Sequence, residues 1–161
     1  MHSGLLYSGR PWLQKELLKF LPAKSILTPH PKELARLIGS WNDDYEKIER
    51  VTAFSKTYDC VVLVKGAHTL ISYKEIKYFN STGNPGMATG GSGDVLTGII
   101  SGLLAQGYDA LEAAVLGTFI HGSAADEALR LGYTHETLTA SVILSCFSEA
   151  ILKISDNYQK L

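Results

Sequence analysis

The stretch NPGMATGGSGDVLTGIISGLLAQG, residues 84–107, decides how this chain is read. It gathers seven glycines, a single acidic residue (Asp94) and an apolar stripe. Val95, Leu96, Ile99, Ile100, Leu103 and Leu104 recur at helical spacing, so a helix is expected to begin between Ser92 and Asp94. Just before it, Gly90, Gly91 and Gly93 let the backbone bend sharply and approach a ligand with no side chain in the way. The first turn of a helix also presents N–H groups without intrahelical acceptors and the positive end of the helix dipole. Together these features make an anion hole, and phosphate is its natural guest. The loop is not a P-loop, because GxxxxGK[ST] is absent, and it does not follow a strand as a dinucleotide-binding GxGxxG does.

Asp94 has two readings. A carboxylate repels phosphate, so its place here makes sense if it takes a proton from an incoming hydroxyl as phosphoryl transfer begins. An acid in a first turn also complements the helix dipole, worth about 0.3–1 kcal/mol. With Gly-Gly-Ser-Gly directly before it, the catalytic reading takes precedence.

Outward from this loop, the sequence alternates periods. Upstream, CVVLVKG (60–66) is the wholly apolar run of a strand buried on both faces, and TLISY and IKYFN, parted by Lys74-Glu75, form a hairpin at the sheet margin. NDDYEKIERVTAFSKTYD (42–59) opens on capping residues and carries Ile48, Val51 and Phe54 along one side. SILTPHPKELARLIG (25–39) reads as a strand over 25–28, a proline-stiffened connection, and a helix from Pro31 that Gly39 ends. Leu13, Leu17, Leu18 and Leu21 after Pro11 predict a short amphipathic helix ending near Pro22. Downstream, Gly98 and Gly102 predict close packing of the first helix on a neighbour. A second helix over 110–131 is apolar around most of its circumference, and a third runs over 138–154. Strands early and helices late make an α/β class, and about four strands are too few to cover helices this apolar, so self-association is expected.

Composition narrows the partners. The 161 residues are 45% hydrophobic, enough for one domain with a core, and 15 basic against 16 acidic residues leave a net charge of −1. Scattered charge argues against nucleic-acid and membrane partners. Cys60 and Cys146 lack CxxC spacing and sit among apolar residues, which fits reduced core thiols. No charged-then-apolar leader is read at the amino end and Gly, Ser, Asp and Thr interrupt each apolar run, so a cytoplasmic protein is expected. Asn80-Ser81-Thr82 is then a turn rather than a glycosylation acceptor. His68, His121 and His135 show no metal-ligand spacing, and His121, in a small-residue helix, reads as a structural histidine.

The glycine stretch, with TPHPKE (28–33), VKGAHT (64–69) and HGSAAD (121–126), resembles the ADP/ATP-dependent NAD(P)H-hydrate dehydratases of the ribokinase-like superfamily. The resemblance implies an α/β fold with a central, mostly parallel sheet flanked by helices, of which this chain is the C-terminal portion. It implies repair of hydrated NADH or NADPH: ADP or ATP, with Mg²⁺, phosphorylates the hydroxyl, and loss of phosphate restores the nicotinamide ring. By the same resemblance, Asp94 is the catalytic base and a substrate contact. Gly90, Gly91, Ser92 and Gly93 hold the transferred phosphate and the nucleotide, and Lys65, Gly66, Ala67, His68 and Thr69 line the nucleotide site. His30 contacts substrate. Read from the residues alone, Lys65 either reaches phosphate as a point charge or returns to solvent at a strand end. His30 is equally the start of a proline-opened helix with Glu33 in its first turn, and Asn84 is a turn residue or a nucleotide contact. Lys32 stands where the family usually has glycine. An acidic DAD-like segment is expected near the start, where this sequence has MHSGLL. A vitamin-precursor kinase or a silent nucleotide-binding fragment are the alternative functions.

Overall fold

Four consecutive apolar residues need cover on both faces, and β3 (Val61–Val64), buried throughout, receives it. Strand alternation splits its side chains. Val62 and Val64 join Leu27 and Leu70 beneath Leu34, Leu37, Val51 and Phe54 on one face. Val61 and Leu63 join Ile26 and Ile71 beneath Leu96, Ile100, Ala113 and Ala114 on the other. The computed structural model describes Leu6–Tyr7 and residues 18–158, with backbone alone at Leu6–Tyr7 and 156–158. The expected helix through Leu13 and Leu17 and the first residues of MHSGLL lie outside the described residues; Leu18–Phe20 is a short 3₁₀ turn.

The sheet has five strands rather than four, in the order β1 (Leu6–Tyr7), β2 (Ile26–Leu27), β3, β4 (Leu70–Tyr73), β5 (Ile76–Phe79). β1, β2 and β3 run parallel, while β4 and β5 pair antiparallel as the expected marginal hairpin. Two helices, α1 (Pro31–Ile38) and α2 (Asp44–Tyr58), cross from β2 to β3 on one face. Asp43 caps α2 by accepting from the Glu46 N–H at 2.8 Å, and Gly39, at φ 84°, lets the chain leave α1. The hairpin is tied to α2 through Ser55, whose Oγ accepts from Lys74 N–H at 2.8 Å and donates to the Cys60 carbonyl at 2.6 Å.

On the opposite face lie α3 (Ser92–Ala105) and the long, largely buried α4 (Ala110–Arg130). Their close approach is made at Gly117, where an added methyl would meet Ile100 Cγ1 at 2.7 Å. Gly98 and Gly102, expected to serve this purpose, are exposed with nothing within 4 Å of an added methyl. The reason is angular: Leu96, Ile100 and Leu103 face inward, and residues two positions along point to the other side of the helix. The expected third helix is broken at Cys146 into α5 (Ala140–Ser145) and α6 (Phe147–Tyr158). There the Cys146 N–H is shared between the Val142 and Ile143 carbonyls, tightening the turn. Ile143, Cys146 and Ala150 pack on Ala124, Ala125 and Ala128 of α4, and both cysteines are buried free thiols. Among the described residues no helix is long and apolar enough to cross a membrane.

Candidate active site

Three of the motifs meet at the carboxyl end of the parallel strands, where open α/β sheets place their ligands. Lys65 follows β3, and its N–H donates to the Pro29 carbonyl beyond β2 at 3.0 Å, which joins VKGAHT to TPHPKE. Its side chain reaches the third motif: a methyl placed on Gly93 would lie 3.6 Å from Lys65 Nζ. Gly66, Ala67 and His68 are exposed on the same rim, and Thr69, partly buried, donates weakly to the Gly66 carbonyl at 3.4 Å.

The glycine loop is open. Gly91 caps α3 in the left-handed region at φ 84°, a conformation that suits glycine, and among the described residues no side chain caps this helix. Gly90 and Gly91 are exposed, and a methyl on Gly90 would meet nothing within 4 Å. Among the described residues no acceptor is found for the N–H groups of Gly90, Gly91 and Gly93. Asp94 is exposed in the first turn, its own N–H donating to the Gly91 carbonyl at 3.0 Å and its carboxylate without a protein partner among the described residues. The resulting surface offers N–H groups and an ammonium to an anion, with one carboxylate beside them.

Ser92 differs from its neighbours. It is buried, and its Oγ lies 3.4 Å from His121 Nε2 on α4, behind the loop. His121 is buried as well, and desolvation pushes it down to about 4, so the ring is neutral at pH 7. The structural reading of His121 therefore holds, with its partner on the glycine loop. His30 forms a capping box: Nδ1 accepts from the Lys32 and Glu33 N–H groups at 3.1 and 3.3 Å, and its own N–H donates to Glu33 Oε2 at 2.8 Å. Nε2 remains on the exposed side, 3.7 Å from Glu33 Oε1. Lys32 points into solvent. Asn84 caps the short 3₁₀ turn Pro85–Met87 through Gly86 N–H.

Two acids on α4 were not singled out by sequence reasoning. Asp126 accepts from Gly83 N–H at 2.8 Å and from Asn84 Nδ2 at 3.0 Å. Next to it, Glu127 is buried between Arg130 and Lys153, which hold it down at about 2. Two adjacent carboxylates in a helix buried on most sides were the available signal, because such groups require partners. These groups also line a cleft of about 250 Å³ between α4 and α6.

The pH dependence of stability follows from His121 and Glu127. Unfolded, His121 takes a proton near 6.5, but folded it resists down to about 4; stability is therefore lost as pH falls through that window. Glu127 adds a second loss between 4.5 and about 2, where only the unfolded carboxylate is protonated. Urea midpoints measured from pH 7 to 3 are expected to fall in both windows, with His121→Gln flattening the first.

The fold, a mixed α/β sheet whose parallel strands end beside a glycine-rich helix start, is ribokinase-like, as its structural neighbours show. A solved ribokinase-like superfamily protein from Enterococcus faecalis shares the fold with TM-score 0.65 and 24% identity, over 84% of this chain and 49% of its own. The family described as NAD(P)H-hydrate dehydratase matches residues 13–146, and the chain belongs to that family. The bifunctional NAD(P)H-hydrate repair enzyme of Moorella thermoacetica is 49% identical over 108 residues, 65% of this chain and 20% of that protein. The ADP/ATP-dependent NAD(P)H-hydrate dehydratase of Bacillus subtilis, co-crystallised with ATP and Mg²⁺, matches with TM-score 0.74 and 28% identity over 81% of this chain and 48% of its own. The chain thus spans about half the length of these solved structures and a fifth of that curated relative.

Proposed function

We propose that the chain carries the phosphoryl-transfer half of an ADP/ATP-dependent NAD(P)H-hydrate dehydratase. The observation that supports this most is that Lys65, the amides of Gly90, Gly91 and Gly93 and the carboxylate of Asp94 share one rim, the amides and the carboxylate having no partner among the described residues. In this reading the substrate hydroxyl oxygen bonds to the terminal phosphorus of the nucleotide, the phosphoanhydride bond breaks, and the hydroxyl proton passes to Asp94. The carbon–oxygen bond then breaks, inorganic phosphate leaves, and the adjoining ring carbon loses a proton to restore the double bond. Loop amides and Lys65 stabilise the charge that develops on the phosphoryl oxygens. His30 Nε2, which makes no hydrogen bond in the capping box and lies on the exposed side 3.7 Å from Glu33 Oε1, is the ring atom available to substrate.

Mg²⁺ finds no protein cage, since among the described residues no three His, Cys, Asp or Glu side chains cluster as ligands. A bound Mg²⁺ would take oxygen ligands from the nucleotide phosphates and would help neutralise their charge, and every step above uses the chain's own groups. Self-association belongs to the same proposal: edge strand β5 exposes Ile76, Tyr78 and Phe79, and light scattering reads the assembly.

Incubation with hydrated NADH, Mg²⁺ and ADP or ATP is expected to regenerate the nicotinamide absorbance together with inorganic phosphate. A phosphorylated product without phosphate release would instead identify a kinase, and nucleotide binding without turnover a silent module. Lys65→Met is expected to weaken ATP about tenfold, the loss of one phosphate-directed charge, by titration calorimetry.

A further inference from the structure

The HGSAAD segment on α4 contacts the glycine loop from behind at several points, and the proposed chemistry leaves it without a role. At the start of the loop, Thr82 Oγ1 donates to the Phe119 carbonyl at 3.0 Å, and Asp126 receives Gly83 N–H and Asn84 Nδ2. Gly122 lies so close that an added methyl would meet Thr82 Oγ1 at 2.3 Å and its carbonyl carbon and oxygen at 2.6 and 2.7 Å. At the other end of the loop, His121 meets Ser92, the residue between Gly91 and Gly93. These contacts join residues 29 to 43 positions apart in sequence, so the loop's own turns do not impose them.

We infer that His121 and Asp126 are positioning residues, which fix the two ends of loop 82–94 to one rigid helix and so set the aim of the Gly90–Gly93 amides and of Asp94. Neither touches the proposed reacting atoms. An amide cradle stabilises a transition state only where its N–H vectors are already aimed, and glycines alone leave that aim undetermined. Asp126 fixes the entry through two acceptor oxygens, and His121 fixes the exit through a ring that stays uncharged. Burial of both His121 and Ser92 keeps water from replacing the second contact. The inference rests on the proposed function for its kinetic consequence, but the bracket itself is independent of it.

The test uses the whole chain with Asp126→Ala, His121→Leu and His121→Gln, the last retaining a polar group near the Nε2 position. Ile143→Val, a packing change on α5, controls for general destabilisation. Amide hydrogen exchange over residues 82–94 is measured alongside kcat and KM for dehydration of hydrated NADH with ATP. Asp126→Ala and His121→Leu are expected to speed exchange in the loop and lower kcat by about tenfold or more, with KM for the hydrated dinucleotide held within about twofold. His121→Gln is expected to recover most of the loss, and Ile143→Val to leave kcat unchanged. The inference is overturned if loop exchange does not change, or if kcat falls no further than in Ile143→Val. Should the unaltered chain show no turnover with ADP or ATP, the proposed function fails and exchange alone decides: faster exchange in both variants supports the bracket, unchanged exchange removes it.

Discussion

Asp94→Asn is expected to lower dehydration turnover by about 10²–10⁴-fold, the range that a positioned general base contributes. The amide keeps the shape of the carboxylate but cannot accept the hydroxyl proton. Because Asp94 is exposed and its carboxylate has no protein partner among the described residues, the substitution removes only its attraction to the helix dipole, and the melting temperature should fall by no more than about 4 °C. Nucleotide affinity should hold or rise, since a negative charge beside the phosphates has been removed. Calorimetry with ATP and steady-state turnover together read the two effects. A variant that keeps turnover within about threefold would return Asp94 to the role of a helix-dipole partner, worth under about 1 kcal/mol.

Gly122→Val is expected to produce the largest loss of stability. The first added carbon alone would lie 2.6 Å from the Thr82 carbonyl carbon, and backbone cannot swing aside as the end of a flexible side chain can. Two further methyls enlarge the conflict, so a cost of at least about 3 kcal/mol follows, the upper range for overpacking. For a domain of this size that lowers the melting temperature by roughly 6–12 °C. Gly98→Ala is the matched control: its site is open, and an exposed helical glycine replaced by alanine should gain up to about 1 kcal/mol. Differential scanning calorimetry of both variants measures the contrast, and a Gly122→Val protein as stable as the parent would refute the close contact between α4 and the loop.

These two glycines show where sequence reading reached its limit. Periodicity reports which side of a helix is apolar, which is why α2 was legible from Ile48, Val51 and Phe54 and α3 from its Leu and Ile positions; α4 showed as apolar around most of its circumference, and the run at 61–64 gave β3. Periodicity says nothing of how near the next element comes. The spacing of Gly98 and Gly102 suggested a packing notch, yet the notches are Gly117, against Ile100, and Gly122, against Thr82. β1 was missed because two residues carry no alternation to read. The break at Cys146 was missed because its surroundings remain good helix formers, and the turn tightens through a shared N–H rather than through Gly or Pro.

The site was legible in parts. Glycines before an apolar helix predicted an open helix start, and Gly90, Gly91 and Asp94 are open and exposed. Ser92 was grouped with them, but its hydroxyl turns inward to His121, which chain-local reasoning could not anticipate across 29 residues. His30 shows the reverse: the bland capping account is realised in full through Nδ1, and the same ring leaves Nε2 outward, so the two readings of that residue are compatible.

With Ser92 turned away, the loop's own contribution to an anion is main chain, and the ammonium of Lys65 is brought to it from the end of β3. Peptide N–H groups neither gain nor lose charge across the range in which proteins survive, so the donors of this cradle are themselves indifferent to acidity. Any bell in a turnover-against-acidity curve must come from the side chains around it or from the reactants. Selection acting on side-chain chemistry has little purchase on such a surface; it can be altered chiefly by changing which residues lack a side chain at all.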